Sequence, residues 1–325
     1  MIEQVFPDIY RIKIPLPNSP LRATNSYLIR GQERNLLVDT GFNCEESRNA
    51  MYQALKKLDI HMETTDLFIT HLHSDHAGLL QHLATDDTTV WMSETDARVV
   101  GASRSSSHWT IFSDFLIESG LVAMGVEDEI AKHPGYRFAS KIFDNFTLVE
   151  DGDQIEVGDF CFSCVQTPGH TQGHMCLYEP EKKLLLSGDH ILGKITPNIT
   201  LWQIDEDVLG QYLESLDKIA KLDVKIVLPG HRYILHDCRG RIQELKTHHN
   251  RRLDDIIKII GQKTMSGAEV ASQMKWDLSY KTWDEFPWGQ KLFATGEAVS
   301  HLYHLVVTGK LSMSTRDGVV YFKQS

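Results

Sequence analysis

The sequence predicts an α/β protein with a smaller helical module at its C-terminal end. Three observations carry this prediction. Strand-like and helix-like patterns alternate through the first third of the chain. A dense cluster of histidines and an aspartate, His71-Leu-His73-Ser-Asp75-His76, follows directly on a short apolar run, DLFIT. The pattern and the charge balance both change at Arg239.

Taken in order, IYRIKIPL, NSYLIRG and NLLVDTG read as strands, with a hairpin-like break at Arg30–Arg34 between the last two. Over about 45–58, Met51, Leu55 and Leu58 recur at i, i+4 and i+7, which is one face of a helix. DLFIT is a short buried strand, a helix begins near Asp75, and TTVWMSE is another strand. Residues about 95–135 look helical, and Trp109, Phe112, Phe115 and Leu116 lie close together there. They are either additional core or a lid that offers a substrate an apolar surface. Strands resume in FTLVEDGDQIEVGDFCFSCVQT, with a turn at Glu150–Asp153, and MCLYEPEKKLLLSGD forms a further hairpin. A helix over about 206–220 and the strand VKIVLPG complete a main domain of residues 1–238. Residues 239–325 read as a long helix to about 262, shorter helical stretches, then strand, turn at Arg316–Gly318 and strand. Three helices ending in a two-stranded wing predict a winged-helix-like module.

The composition, 325 residues with 42% hydrophobic and 24% charged, is that of an ordinary globular protein. The start, MIEQVFPDIYRIKIPLP, shows no basic leader followed by an apolar segment. No apolar run approaches the roughly 18–20 residues a membrane-spanning helix needs. The expectation is a cytoplasmic enzyme with no membrane partner. Five cysteines are too few and too odd for a disulfide framework. Cys161 and Cys164, three apart on a strand, point to opposite faces and read as core and surface thiols. From Arg239 onward 13 Lys and Arg face 9 Asp and Glu, a balance of +4, so with a net charge of −11 the main domain carries −15. So acidic a body repels a polyanion, and nucleic acid is not the expected partner.

Imidazoles and a carboxylate packed this closely at a strand end are costly to bury without a counter-ion, and a divalent cation is the economical explanation. Four further segments end strands with a candidate ligand: Asp39 in LLVDTG, His170 in QTPGHTQGH, Asp189 in LLLSGDH and His231 in IVLPGHR. A glycine adjoins the polar residue in three of them, as a tight turn requires. Each alone is ambiguous. Their joint occurrence in this order is not.

The order DTG, H-x-H-x-D-H, a later His, GD and a final GH resembles the metallo-β-lactamase superfamily over about residues 10–237. The resemblance implies a four-layered αβ/βα sandwich. It also implies one metal on His71, His73 and His170, a second on Asp75, His76 and His231, and Asp189 bridging both. Asp75 and Asp189 are thereby the catalytic candidates. Asp39 is implied to orient a ligand rather than to bind metal. No cysteine replaces a ligand, which argues against antibiotic hydrolysis. The tail is similar to the β-lactamase-associated winged-helix module of some members, including endoribonucleases. Two cations about 3.5–4 Å apart can share a bridging water and supply hydroxide near neutral pH. Histidine and carboxylate ligands suit zinc first, with iron or manganese as alternatives.

The expected activity is cleavage of a carboxylic ester, lactone or acyl thioester, with a small-molecule acyl substrate and symmetric pairing into a homodimer. The alternative is phosphodiester cleavage of single-stranded RNA. A third class, oxygen handling with a flavin partner, lacks a flavin-binding segment. Trp109, Phe112, His174, Lys194, Trp202 and Tyr233 are the candidate substrate contacts. His248, His249, His301 and His304 in the tail read as non-ligands.

Overall fold

The computed structural model of the protein describes all residues except 103–105, 122–132, 141–142, 202–205 and 278–279. At 101–102 and 106–109 it describes backbone only. The chain forms two compact units. The first comprises Met1–Arg104, Pro134–Pro197 and Ser215–Ile242; the second comprises Ser105–His133, Asn198–Glu214 and Gln243–Ser325.

The first unit is an α/β sandwich. Among the described residues, one sheet holds β1 (Ile2–Phe6), β2 (Ile9–Pro15), β3 (Ala23–Ile29), β4 (Asn35–Val38), β5 (Thr65–Phe68), β6 (Val90–Ser93) and β7 (Thr147–Val149), paired in chain order. The pairings are antiparallel as far as β4 and parallel from β4 to β7. The other sheet runs β12 (Ile226–Pro229), β11 (Leu184–Gly188), β10 (Met175–Glu179), β9 (Phe160–Gln166) and β8 (Gln154–Val157).

Period-two patterning sorts the first sheet's side chains to its two faces. Ile9, Tyr27, Ile29, Leu36, Val38 and Phe68 meet Phe162, Cys164, Leu177, Leu186 and Leu228 of the other sheet in one core. Their neighbours in sequence, Ile12, Leu28, Leu37 and Leu67, pack on the opposite face with Met51, Ala54 and Leu55 of the helix Glu45–Lys57 and with Ala97 and Val100. The end of helix Val208–Ala220 is tied to the β9 side: Ser215 donates to the Pro168 carbonyl and Lys218 to that of Gln166. Phe162 is fully buried and stacks on Phe160 at 5.6 Å. Phe162→Ala is expected to cost about 3–5 kcal/mol, read as a fall in the denaturant midpoint at unchanged slope.

Strand direction places the site. Parallel neighbours β4 and β5 end at one edge, with Asp39 just past β4 and His71 just past β5. In the second sheet β11 and β12 are parallel, and β9 runs the same way because two antiparallel pairings separate it from β11. The loops after β9, β11 and β12 carry His170, Asp189 and His231. Ligands from distant parts of the sequence are thus delivered to strand ends, where α/β folds build their sites.

The second unit contains a helix Cys238–Ile260 that begins in the first unit, then β13 (Met265–Ser266), helix Gly267–Gln273, helix Trp288–Val307, β14 (Leu311–Arg316) and β15 (Val319–Gln324). The expected terminal hairpin is present, and β13 adds a third antiparallel strand beside β15. Ser266 caps helix Gly267–Gln273 in a reciprocal arrangement with Glu269. The unit also gathers residues 105–133 and 198–214, which the sequence alone assigns to the main domain, and the change of unit falls at Ile242 rather than at 238. Phe112, Phe115 and Leu116 of helix Ser106–Glu118 are buried, and the Phe112 ring meets His133 edge-on at 5.5 Å. Of the two readings of this insertion, burial of these three favours core. Cys161 and Cys164 are unpaired, Cys164 buried and Cys161 partly exposed, as the strand period requires.

Candidate metal centre

His71, His73 and His170 place one ring nitrogen each within a common 4.8 Å, and so do the ligand atoms of Asp75, His76 and His231. Asp189 lies between the two sets. Its carboxylate is 3.6 Å from His170 Nε2, 3.5 Å from His76 Nε2 and 3.4 Å from His231 Nε2. His231 Nε2 is 3.2 Å, and His76 Nε2 3.7 Å, from Asp75 Oδ2.

Hydrogen bonds at the rim of the cluster orient the rings. His231 Nδ1 donates to the Ala23 carbonyl at 2.8 Å, which leaves Nε2 as the inward lone pair. His76 Nδ1 donates to Asp39 Oδ2 at 2.7 Å with the same result. Asp39 also accepts from the Thr70 backbone N–H and hydroxyl. A carboxylate can only accept, so the single Thr70 proton goes to Asp39, and Thr70 Oγ1 accepts from His71 Nδ1 at 3.0 Å. His71 Nε2 is then the unprotonated nitrogen, and it faces His73 Nδ1 at 3.1 Å. One aspartate thereby orients a histidine from each set, directly for His76 and through Thr70 for His71. Asp39 adopts φ +61°, a left-handed conformation that aspartate tolerates.

This donor set fits divalent cations. Among the described residues, His76 Nε2, His231 Nε2 and Asp189 Oδ1 are buried without a hydrogen-bond partner, an expensive state for neutral or charged polar atoms. Their separations of 3.2–3.7 Å are long for hydrogen bonds. Two atoms bound tetrahedrally to one ion at about 2.1 Å sit about 3.4 Å apart. Backbone makes room for this: a Cβ on Gly230 would lie 2.5 Å from Asp189 Oδ1, and one on Gly188 2.7 Å from His174 Nε2.

The electrostatics divide the rings. Burial, reinforced by neighbouring imidazoles, holds His71 well below the usual histidine range and takes His73 to about 3, so both are neutral and ready to bind. At His76 and His231 burial is outweighed by Asp39, Asp189 and Asp75 in the first case and by Asp189 and Asp75 in the second, and His231 is raised to about 10. Without a cation these carboxylates retain protons on the two histidines. A bound dication would take the protons' place.

The structure reassigns His174. It is fully buried, its Nδ1 donates to Thr167 Oγ1 at 2.8 Å, and its Nε2 accepts the Asp189 backbone N–H at 3.1 Å. Both nitrogens are used within the protein, so His174 holds the Asp189 loop instead of meeting substrate. Lys194 and Tyr233 are exposed and pair with each other, the ammonium 4.9 Å from the ring centroid. They sit on the loops that follow Asp189 and His231. Phe112 is core. Trp202 and the Trp109 side chain lie outside the described residues. In the second unit, His249 and His301 hydrogen-bond to each other and His304 pairs with Asp207 at 2.9 Å. No metal-holding group of three forms there among the described residues.

Two sets of residues important to the site escape sequence reasoning. Thr24, Asn25 and Ser26 on β3 donate to the carbonyls of Asp75, Pro229 and Asp39, fixing three ligand loops at once. The polar run T-N-S opening an otherwise apolar strand is the signal that could have found them. Asp96 bonds to both histidine loops, and an acid in the first turn of a helix carries no such signal.

The fold and the clustered His/Asp side chains define a metallo-hydrolase. The family model for the metallo-beta-lactamase superfamily matches residues 19–231, and the chain belongs to that superfamily. It is similar to the Bacillus subtilis "Probable metallo-hydrolase YqjP", at 24% identity over 97% of this chain and 98% of the relative. It is also similar to the human "Acyl-coenzyme A thioesterase MBLAC2", at 26% identity over 64% of this chain and 72% of that protein. Among solved structures, the metallo-beta-lactamase family protein TTHA1429 from Thermus thermophilus superposes with a TM-score of 0.81 at 26% identity, over 99% of this chain and all of that one.

Proposed function

We propose that this chain is a dinuclear metal-dependent hydrolase of acyl thioesters. The observation that carries the dinuclear reading is the position of the Asp189 carboxylate between two three-residue ligand sets. His71, His73 and His170 would hold one ion; Asp75, His76 and His231 the other; Asp189 would contact both. Five imidazoles and two carboxylates with no thiolate suit zinc, and iron or manganese next. Bound there, the ions supply Lewis acidity and a water acidified enough to act as nucleophile near neutral pH.

The protein's own contribution is orientation. Asp39 and Thr70 hold His76 and His71 with their Nε2 lone pairs inward, Ala23 does so for His231, and His174 fixes the backbone of Asp189. The thioester class is supported by the similarity to a protein named as an acyl-coenzyme A thioesterase. Lys194 and Tyr233 offer a cation and an aromatic face on the loops following Asp189 and His231, suited to a substrate with anionic and planar parts. A phosphodiesterase reading draws on a winged-helix-like character of the C-terminal residues, supported by the helix–strand–helix–helix–strand–strand order of their described elements.

The test is a substrate panel. Full-length protein reconstituted with zinc, manganese or iron is offered acyl-CoA thioesters of graded chain length, lactones, carboxylic esters and labelled single-stranded RNA. The thioesters are expected to give the highest kcat/KM by at least about tenfold, equivalent to about 1.4 kcal/mol at the transition state. RNA cleaved faster than every acyl substrate overturns the substrate class.

A further inference from the structure

Asp96 lies in the first turn of helix Glu94–Ala102 and is fully buried. Among the described residues it pairs with no cation. Its three partners are donors from the two loops that carry histidines: Oδ2 accepts the Leu72 backbone N–H at 2.8 Å and the Thr171 hydroxyl at 2.7 Å, and Oδ1 accepts the Gly173 backbone N–H at 2.8 Å. Leu72 is the residue between His71 and His73. Thr171 follows His170, and Gly173 precedes His174.

We propose that Asp96 is a positioning residue that locks the His71/His73 loop to the His170 loop and so sets the geometry of one metal site, the three-histidine site, selectively. This rests on the ligand assignment proposed above. The selectivity follows from how the other site is anchored. Asp75 and His76 are held through their own carbonyls by Thr24 and Thr40, His76 through Asp39, and His231 through Ala23. None of those bonds involves Asp96. The three-histidine site, in contrast, draws its ligands from two loops that this carboxylate ties together through three bonds, beside the bond from the Met175 N–H to the Thr70 carbonyl at 2.8 Å.

The clamp also explains a glycine. A Cβ on Gly173 would come within 2.6 Å of Asp96 Oδ1 and 2.3 Å of Ser93 Oγ, so the backbone approaches the carboxylate as closely as only glycine allows. Burial without a counter-charge raises the Asp96 carboxyl to about 6 despite its three bonds, a cost the fold carries at this position.

The test is Asp96→Asn. An amide nitrogen only donates, so in either orientation it opposes the Gly173 N–H or the pair of donors at Oδ2, and one arm of the clamp must open. Metal-free full-length protein is titrated with zinc against a competing chelator, and with cobalt to follow each site by its absorption. Replacing a group that orients a metal ligand typically weakens binding about 10–100-fold. That loss is expected for one of the two equivalents, with the other within about threefold of wild type. Amide exchange in the metal-free protein should speed up at Leu72 and Gly173.

Two unchanged affinities in a wild type that binds two equivalents overturn the clamp and leave the ligand assignment standing. So does equal weakening of both sites. A wild type that takes up no metal overturns the ligand assignment and the clamp together. If Asp96→Asn does not fold, Thr171→Val removes one donor and keeps both backbone bonds. It must weaken the same equivalent, and unaltered binding in that variant is equally fatal.

Discussion

Asp189→Ala is expected to lower hydrolysis more than about a hundredfold and to reduce bound metal from two equivalents to one or fewer. The carboxylate is within 3.6 Å of nitrogens from both ligand sets, so its loss removes a ligand from each. It also removes one of only two carboxylates among the seven ligands, leaving Asp75 as the sole anionic ligand to offset the charge of two dications. Mutating even residues that merely orient a ligand costs about 10–100-fold, and a shared ligand should cost more. The chain itself should still fold, because Gly230 packs closely against the carboxylate and truncation creates space instead of a clash. Elemental analysis of metal-replete variant and wild type, with activity at matched metal concentration, checks this. Activity within tenfold of wild type at full metal content would remove Asp189 from the bridging role.

Much of this site could be read from the sequence because its residues are punctuated. The ligands follow the ends of apolar strands, four of them after a single one, and the three later ones sit beside a glycine, so chemistry and backbone requirement coincide at those positions. What could not be read was tertiary. The spacing of His174 from His170 says nothing of direction, and only the fold shows both of its nitrogens spent on Thr167 and Asp189. The aromatic insertion shows a similar ambiguity: Phe112 and Phe115 are as apolar in a core as in a lid, and periodicity does not say what covers them. The sequence changes its pattern and charge balance near Arg239. That residues 105–133 and 198–214 join the C-terminal unit depends on long-range packing that no local pattern encodes. Asp96 is the extreme case, a buried acid in a stretch, S-E-T-D, that reads as an ordinary exposed helix start.

Stripping the metals should make stability fall as pH rises above about 6.5, the reverse of the loaded protein. In the metal-free chain the carboxylates of Asp189 and Asp75 outweigh burial and raise His231 to about 10, while Asp39, Asp189 and Asp75 raise His76. A histidine whose folded pKa lies above its unfolded value contributes stability that is complete below about 6.5 and is lost as pH climbs through the folded pKa. The window therefore runs from 6.5 to about 10. His71 and His73 shift the opposite way, and their contribution changes only below 6.5, where the unfolded chain takes up protons that the buried rings refuse. In the loaded protein, ions replace the protons on His76 and His231, binding releases protons, and rising pH tightens it. At free metal a thousandfold above Kd each site adds about 4 kcal/mol, so the two forms should differ in Tm by roughly 10–20 °C near neutrality. That gap should widen between about pH 6.5 and 9. Thermal scans of chelator-treated and zinc-loaded protein across this range provide the check. A metal-free Tm that stays level or climbs would mean that His76 and His231 do not carry the charge that the surrounding carboxylates impose, and that the cluster is balanced without a cation.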